Sequence, residues 1–455
     1  MNSKEHSISN FRSRVVRAGS WSIGGYAVSQ AIRLLSNLIL TRLLVPEMFG
    51  VMAIVFVITF GLTLFSDIGL LQNIVNSKRG EEQRFLNTAW VVQILRGLLL
   101  FLCMLLISWI FSTAGQYGWL PVDSAYSAPI LPTVIAILAF NVLIAGFNST
   151  NLLLANRKLL LGKVTIIEII SQVIGVIFMV SWAMIDPTIW SLVYGTIFTT
   201  LIKMFLSHVL LPSPFNRFEW DSTAFHEIFH FGKWIFMSSI LGFLLSRGDQ
   251  LILGGLISAE LLGVYSIALY LATALRLVFG KVFGSVFYPA LSEVAKNRRS
   301  DLSATYYKMR KYIDASTYFT AGLLFFIGNI IIAILYDERY IEAGWMLQIL
   351  SLSLIYVGPG MLADQCFLAL GRAKLLSYLI ALQVIVLFVT VPILFYYGGL
   401  DRALWGIIFT PVVKVIVSYF FMHKYNLLQI KKEFMLVPVF FVGCFIGYLT
   451  NLLLI

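Results

Sequence analysis

Apolar positions along this chain gather into runs of about 20 residues, the length a helix needs to cross a bilayer core, and short polar connections separate them. Thirteen runs can be marked: 19–40, 50–74, 85–111, 129–155, 161–184, 188–210, 234–256, 263–290, 312–335, 344–370, 375–396, 403–422 and 434–454. Each predicts a membrane-spanning α-helix, because lipid offers no partner for an unpaired N–H or C=O. Glycine and proline inside several runs are tolerated where neighbouring helices re-satisfy the backbone. The expected fold class is all-α integral membrane.

Composition strengthens this. Of 455 residues, 59% are hydrophobic and 12% charged, with a mean hydropathy of +0.88. Soluble domains carry about 25% charge, and a soluble chain this apolar would expose large patches and aggregate. The net charge of +11 raises the question of a nucleic-acid partner, and its placement answers it. Alternate connections hold 23 Lys and Arg residues, from Lys4, Arg12, Arg14 and Arg17 at the start to Lys424, Lys431 and Lys432 near the end. The opposite connections hold only Arg42, Arg339 and Arg402. By the positive-inside rule the N-terminus is expected in the cytoplasm, and no nucleic acid is implied. Cys103, Cys366 and Cys444 all lie within runs, which leaves no external disulfide framework. The basic start leads into a full-length span, so no cleavable signal peptide is expected.

Residues 19–54 and 232–267 align at a constant offset of 213 with ten identities, including Gly19/Gly232, Trp21/Trp234, Glu47/Glu260 and Gly50/Gly263. The repeat begins at the first run and again at the seventh. Six spans intervene, so both halves enter the membrane in the same direction, which is a parallel repeat. The expected organisation is a basic N-terminus (1–18), a six-helix lobe (19–210), a cytoplasmic linker (211–233), a second six-helix lobe (234–425) and an additional C-terminal span (426–455).

Eleven ionisable residues fall inside the runs by more than two residues from either end: Arg33, Arg96, Lys203, Arg247, Arg276, Lys281, Lys414, Asp67, Glu168, Asp249 and Asp364. Each costs about 2.5–3.5 kcal/mol at a bilayer centre on insertion scales, so they are expected to snorkel, pair or line a protein interior. Ser22, Tyr26, Gln30, Arg33 and Asn37 recur at helical spacing and form one polar stripe. Ser239, Ser246, Asp249 and Gln250 form a comparable stripe on the seventh run. Under the offset, Asn37 corresponds to Gln250. A polar, net basic cavity between the lobes is the simplest reading, and Arg suits bidentate contact with a phosphate-bearing substrate. Arg247, about 200° around the helix from Asp249, is expected to brace neighbouring helices.

His226-Glu227-Ile228-Phe229-His230 matches the H-E-x-x-H pattern, in which two imidazoles hold zinc and the glutamate acts as base. It falls in the expected linker beside Trp220 and Phe225, without an evident third ligand. Phe229 and Phe231 suit an interfacial helix better. Neither a metal nor a catalytic residue nor a cofactor is expected.

Several motifs carry a family resemblance: Gly19-Ser20-Trp21, the turn from Thr41 to Gly50, Ser66-Asp67-Ile68-Gly69-Leu70, Arg247-Gly248-Asp249-Gln250-Leu251-Ile252-Leu253-Gly254, and Leu262-Gly263-Val264-Tyr265. Over most of residues 10–425 the chain resembles polysaccharide transporters of the multidrug/oligosaccharidyl-lipid/polysaccharide exporter superfamily, especially Wzx-type flippases. The resemblance implies a bacterial inner-membrane protein of two six-helix bundles in a V shape. It also implies flipping of undecaprenyl-diphosphate-linked oligosaccharide by alternating access, for lipopolysaccharide, capsule or exopolysaccharide synthesis. A glycan polymerase or export machinery would be a partner. In that frame Arg33, Arg96, Arg276 and Lys414 would hold the diphosphate, with Gln30, Asn37 and Gln250 in the cavity. Asp67, Asp249 and Arg247 would pair or couple ions. A drug or cation exporter of the same superfamily should favour acidic cavity residues, against seven basic and four acidic here. A membrane enzyme such as a polymerase would need a large outward loop, and the longest, near 112–128, holds one charge, Asp123.

Overall fold

A computed structural model describes residues 2–211 and 214–454, with side chains described for all of these except 2–16, 18, 230–238, 281–286 and 454. The helices in chain order are α1 (Asn2–Leu43), α2 (Pro46–Phe65), α3 (Leu70–Asn76), α4 (Gln83–Gln116), α5 (Leu131–Gly146), α6 (Asn151–Arg157), α7 (Leu161–Ile185) and α8 (Ile189–Val209). They continue with α9 (Ser222–Gly254), α10 (Ala259–Asn297), α11 (Leu302–Leu335), α12 (Ala343–Ser351), α13 (Val357–Ala369), α14 (Ala373–Lys424), α15 (Ile430–Glu433) and α16 (Val437–Leu454).

Every apolar run falls on helix, but not always on one straight helix. Among the described residues nine helices are long and apolar enough to cross a membrane, and α5 with α6 makes a tenth, bent by 56°. The difference from thirteen runs has two sources. The α14 helix holds two runs, with non-helical backbone between them at Gly398 and Gly399, where Gly399 has φ 67°. Runs 19–40 and 234–256 lie on α1 and α9, parts of which fall outside the described side chains. Interrupted helices recur. Between α2 and α3 the chain turns through Gly69 at φ 65°, a conformation that costs glycine little. A 3-10 turn, Leu352–Tyr356, separates α12 from α13.

The chain divides into two compact units, the first comprising Met1–Val122 and Tyr126–Ile240, the second Asp123–Ala125 and Leu241–Ile455. The boundary falls inside α9.

In the first unit α4 packs on α5, α7 on α8 and α1 on α7. A Cβ on Gly97 would lie 3.1 Å from the Gly146 Cα, so α4 and α5 meet backbone to backbone, as small residues allow in membranes. The connection before α9 is part of this unit. Pro212 and Ser213, within the expected linker, lie outside the described residues. Beyond them, Ala224 and Ile228 are fully buried against Leu70, Ile74, Phe85 and Leu154. Arg79 donates to Asp221 Oδ2 at 2.6 Å and to Thr223 Oγ1 at 2.8 Å. The Thr223 hydroxyl, with the Arg79 guanidinium, holds the Asp221 carboxyl well below the usual carboxylate range.

In the second unit α16 packs along α11. Gly322, Gly443 and Gly447 form the seam, and a Cβ on Gly447 would lie 2.8 Å from the Leu323 carbonyl oxygen. Gly443 and Gly447 are a G-x-x-x-G pair, the spacing that lets two helices approach closely. The short α15 is tied in by charge. Arg310 donates to Asp314 Oδ2 at 2.8 Å and also to Glu433, and its other nitrogen donates to the Tyr419 hydroxyl at 3.2 Å. Arg310 and Asp314 are 2% exposed and Glu433 4%. Arg310 is thus a buried cation of α11. Its two carboxylates come from the next turn of α11 and from α15, and together they make burial tolerable.

Candidate functional site

The first unit holds a cavity of about 320 Å³ lined by Gln93, Arg96, Asn148, Asn156, Glu168 and Lys203, among others. Two interrupted helices shape it. The α2 helix stops at Phe65, and Asp67 Oδ1 accepts the Gly69 N–H at 2.9 Å, closing the turn into α3. The end of α2 leaves acceptors without intrahelical donors. Arg96, in the middle of α4, supplies them: Nη2 donates to the Thr63 carbonyl at 2.6 Å and Nε to Ser66 Oγ at 2.9 Å. Gln93, one turn earlier, serves the α5–α6 break in the same way, donating to the Gly146 and Asn148 carbonyls at 2.9 Å each.

Much of the remaining lining is apolar, from Leu100, Val142, Leu152, Leu153 and Val164, with one ion pair among it. Lys203 Nζ lies 3.2 Å from Glu168 Oε1, and these side chains are 35% and 53% exposed. Asn148 Oδ1 is buried without a hydrogen-bond partner, an acceptor directed at no protein donor. The cavity thus brings together the Arg96 guanidinium, the Lys203–Glu168 ion pair and an orphan acceptor. Chemically that suits an anion flanked by hydroxyl groups.

The other residues expected in the first unit lie elsewhere on it. Gln30, Arg33 and Asn37 follow one another along α1, and none lines this cavity. Arg33 is exposed, Asn37 is half-buried, and Gln30 Oε1 is buried without a hydrogen-bond partner. Just beside Gln30, Ser29 donates to Gln172 Oε1 at 2.6 Å, tying α1 to α7. Asp67 is engaged in its own turn.

In the second unit the expected residues form pairs. Asp249 is buried and accepts from the Tyr265 hydroxyl at 2.6 Å. Arg247 Nη1 donates to Gln250 Oε1 at 3.1 Å. Gln250, also buried, donates to Ser266 Oγ at 3.5 Å. Arg276 is exposed. Lys414, expected to hold a diphosphate, donates to Asp364 Oδ2 at 2.6 Å and is 8% exposed. A buried ammonium committed to a carboxylate has little charge left to offer, so Lys414 braces α14 against α13.

The H-E-x-x-H string opens α9. Ile228 is its buried position, while His226 and Glu227 are exposed, with His226 Nδ1 2.7 Å from the Ser222 carbonyl. The side chain of His230 lies outside the described residues. Among those described, no cluster of three His, Cys, Asp or Glu could hold a metal ion.

Sequence reasoning missed Tyr265, Gln93 and Asn148. The first is a tyrosine on the following helix, and the others act on helix breaks that an apolar run does not reveal.

Comparison with known proteins adds three kinds of finding. A family model described as polysaccharide biosynthesis protein matches residues 39–343. The chain is 20% identical over 421 residues to the lipopolysaccharide biosynthesis protein WzxC of Escherichia coli K12, covering 91% of this chain and 82% of the relative. It is 20% identical to a putative O-antigen transporter of Shigella flexneri, covering 79% and 86%. Among solved structures, the lipid II flippase MurJ in an inward closed conformation superposes with a TM-score of 0.71 at 14% identity, covering 95% of this chain and 92% of that one. An inward-facing MATE family multidrug transporter gives 0.65 at 13% identity, covering 88% and 94%.

Proposed function

Because the chain belongs to the polysaccharide biosynthesis protein family, we propose that it is a flippase for lipid-linked oligosaccharide, working by alternating access in the bacterial inner membrane. The observation that carries the reading is the Arg96 cavity: a guanidinium and the Lys203–Glu168 ion pair beside the orphan Asn148 acceptor, inside a membrane-embedded unit. Such a lining suits a diphosphate attached to a sugar. The printed names of the WzxC and O-antigen relatives and of the lipid II flippase support the same substrate class.

On this reading the prenyl tail stays in lipid while Arg96 takes the diphosphate. Arg33 and Arg276, exposed cations without a salt bridge among the described residues, supply further charge along its route. Asp249, held by Tyr265, is the carboxylate assigned to ion coupling. The N-terminus lies in the cytoplasm, as the basic connections require, and a glycan polymerase takes up the exported product. The protein carries its substrate without chemically altering it.

Deletion tests the function. A strain lacking the gene should accumulate lipid-linked oligosaccharide accessible only from the cytoplasmic face, and the intact gene should clear it. Normal periplasmic export in the deletion strain would sink the proposal. Expulsion of cationic dyes by the purified protein, with no effect on the lipid-linked sugar, would move it to the drug exporters.

A further inference from the structure

Beside the Arg310 cluster a second cleft, of about 220 Å³, opens between the start of α11 and α15. Its walls carry Lys308 and Lys311 from α11 and Lys432 from α15, with Met435 and Leu436 completing one side. All three lysines are exposed, and no carboxylate among the described residues forms a salt bridge with them. The carboxylates nearby in structure, Asp314 and Glu433, are both engaged by Arg310. Counting these six groups, four cations against two carboxylates leave a formal charge of +2. Lys432 Nζ also sits 5.5 Å from the Tyr307 ring, which steadies it over the cleft.

The cleft lies where polar chain gives way to apolar helix. The apolar part of α11 begins near residue 312 and α16 begins at Val437. From there Phe441, Phe445, Leu449 and Leu452 form an exposed apolar stripe down α16, at spacings of three to four residues. An excess of lysine at headgroup depth, continuous with an apolar track, matches a phospholipid from head to tail.

We propose that this cleft binds the phosphodiester headgroup of an anionic membrane lipid, whose acyl chains lie along the exposed stripe of α16. The assignment concerns a resident lipid and is independent of the substrate the protein carries. Lipid bound there bridges α11, α15 and α16 at the point where the last span joins the second unit.

The test is native mass spectrometry of the full-length protein released from phosphatidylcholine nanodiscs doped with phosphatidylglycerol. The intact protein should retain phosphatidylglycerol. The triple variant Lys308→Gln, Lys311→Gln, Lys432→Gln should lose about a hundredfold in apparent affinity, from about fivefold per lysine near an anionic surface. Its unfolding midpoint in detergent should stay unchanged, since all three side chains are exposed. Lys374→Gln with Lys424→Gln removes two basic residues that do not line the cleft, and retention should remain near that of the intact protein. Equal loss in both variants, or unchanged retention in the triple variant, would overturn the site. Saturable binding of inorganic phosphate that the triple variant loses, with lipid retention unaffected, would reassign the cleft to a free anion.

Discussion

Arg310 on α11 donates into the carboxylate of Glu433 on α15, and both side chains are almost wholly buried. The pair, with Asp314 and Tyr419, anchors the connection that leads into the last span. Breaking a buried pair by removing one partner leaves the other charge uncompensated, at a cost of about 3–5 kcal/mol. Glu433→Ala should therefore lower the unfolding midpoint in detergent and reduce the yield of folded protein. Lys431→Ala, two residues earlier and exposed, should do neither. Equal stability of the two variants would refute the anchoring role.

The glycine seam predicts a steric effect. A side chain at Gly443 would be driven into the Phe319 carbonyl, and one at Gly322 into the backbone of α16. Gly443→Leu should cost about 1–3 kcal/mol by overpacking, read as a lower midpoint. Gly19, with nothing within 4 Å of an added Cβ, should accept alanine without that loss.

Lys414 and Asp364 predict a coupling. Replacing either alone by an apolar residue should destabilise the second unit, by about 3–5 kcal/mol for a broken buried pair. The double replacement, Lys414→Met with Asp364→Leu, should cost less than the two singles combined. A double-mutant cycle on unfolding midpoints measures this, and additive losses would show that the pair carries no interaction.

Arg96 predicts a dependence on geometry as well as charge. Its fork reaches Thr63 and Ser66 with two directed donors, which a lysine cannot reproduce. Arg96→Ala should abolish periplasmic export of the lipid-linked sugar, and Arg96→Lys should restore only part of it at equal protein levels. Full export by the alanine variant would remove Arg96 from the site.

The clamp on the segment before α9 predicts a pH window. Asp221 titrates below its ordinary value because Thr223 and Arg79 favour its charged form. A depressed carboxylate contributes stability above its unfolded pKa, about 3.9, and loses it only as pH falls through the folded value. Residues 214–221 should thus resist limited proteolysis evenly from pH 5 to 8 and become sensitive only in stronger acid. Asp221→Asn should be cleaved readily at neutral pH. Sensitivity of the intact protein appearing between pH 5 and 7 would exclude this ion pair as the clamp.

The helices were legible because lipid imposes one rule on every span, and apolar runs record it directly. Interruptions were not, since Ser66 to Gly69 and Phe147 to Thr150 sit within runs whose average character stays apolar. Charge contacts were illegible in the sequence. Arg310 looks like Lys308 or Lys311 in sequence, yet Glu433, 123 positions later, separates its fate from theirs. Lys414 was singled out as a cation, but its partner Asp364 lies 50 positions earlier on another helix. The H-E-x-x-H string shows the limit of a local pattern from the other direction. Its buried Ile228 belongs to the packing of the first unit, and a local pattern cannot separate ligands from the polar side of a docked helix.

Arg96 has one guanidinium and two obligations. Nε and Nη2 hold Ser66 and Thr63, which leaves Nη1 of the five-donor fork to meet an anion, while the Thr63 carbonyl also accepts from the Ser66 hydroxyl at 3.2 Å. On the proposed function, an anion that pulls this guanidinium toward itself loads the two bonds at the end of α2, and the free energy linking the two acts equally in both directions. On that proposal, a substrate held by Arg96 is coupled to the turn through Gly69 by the same side chain, without a separate relay.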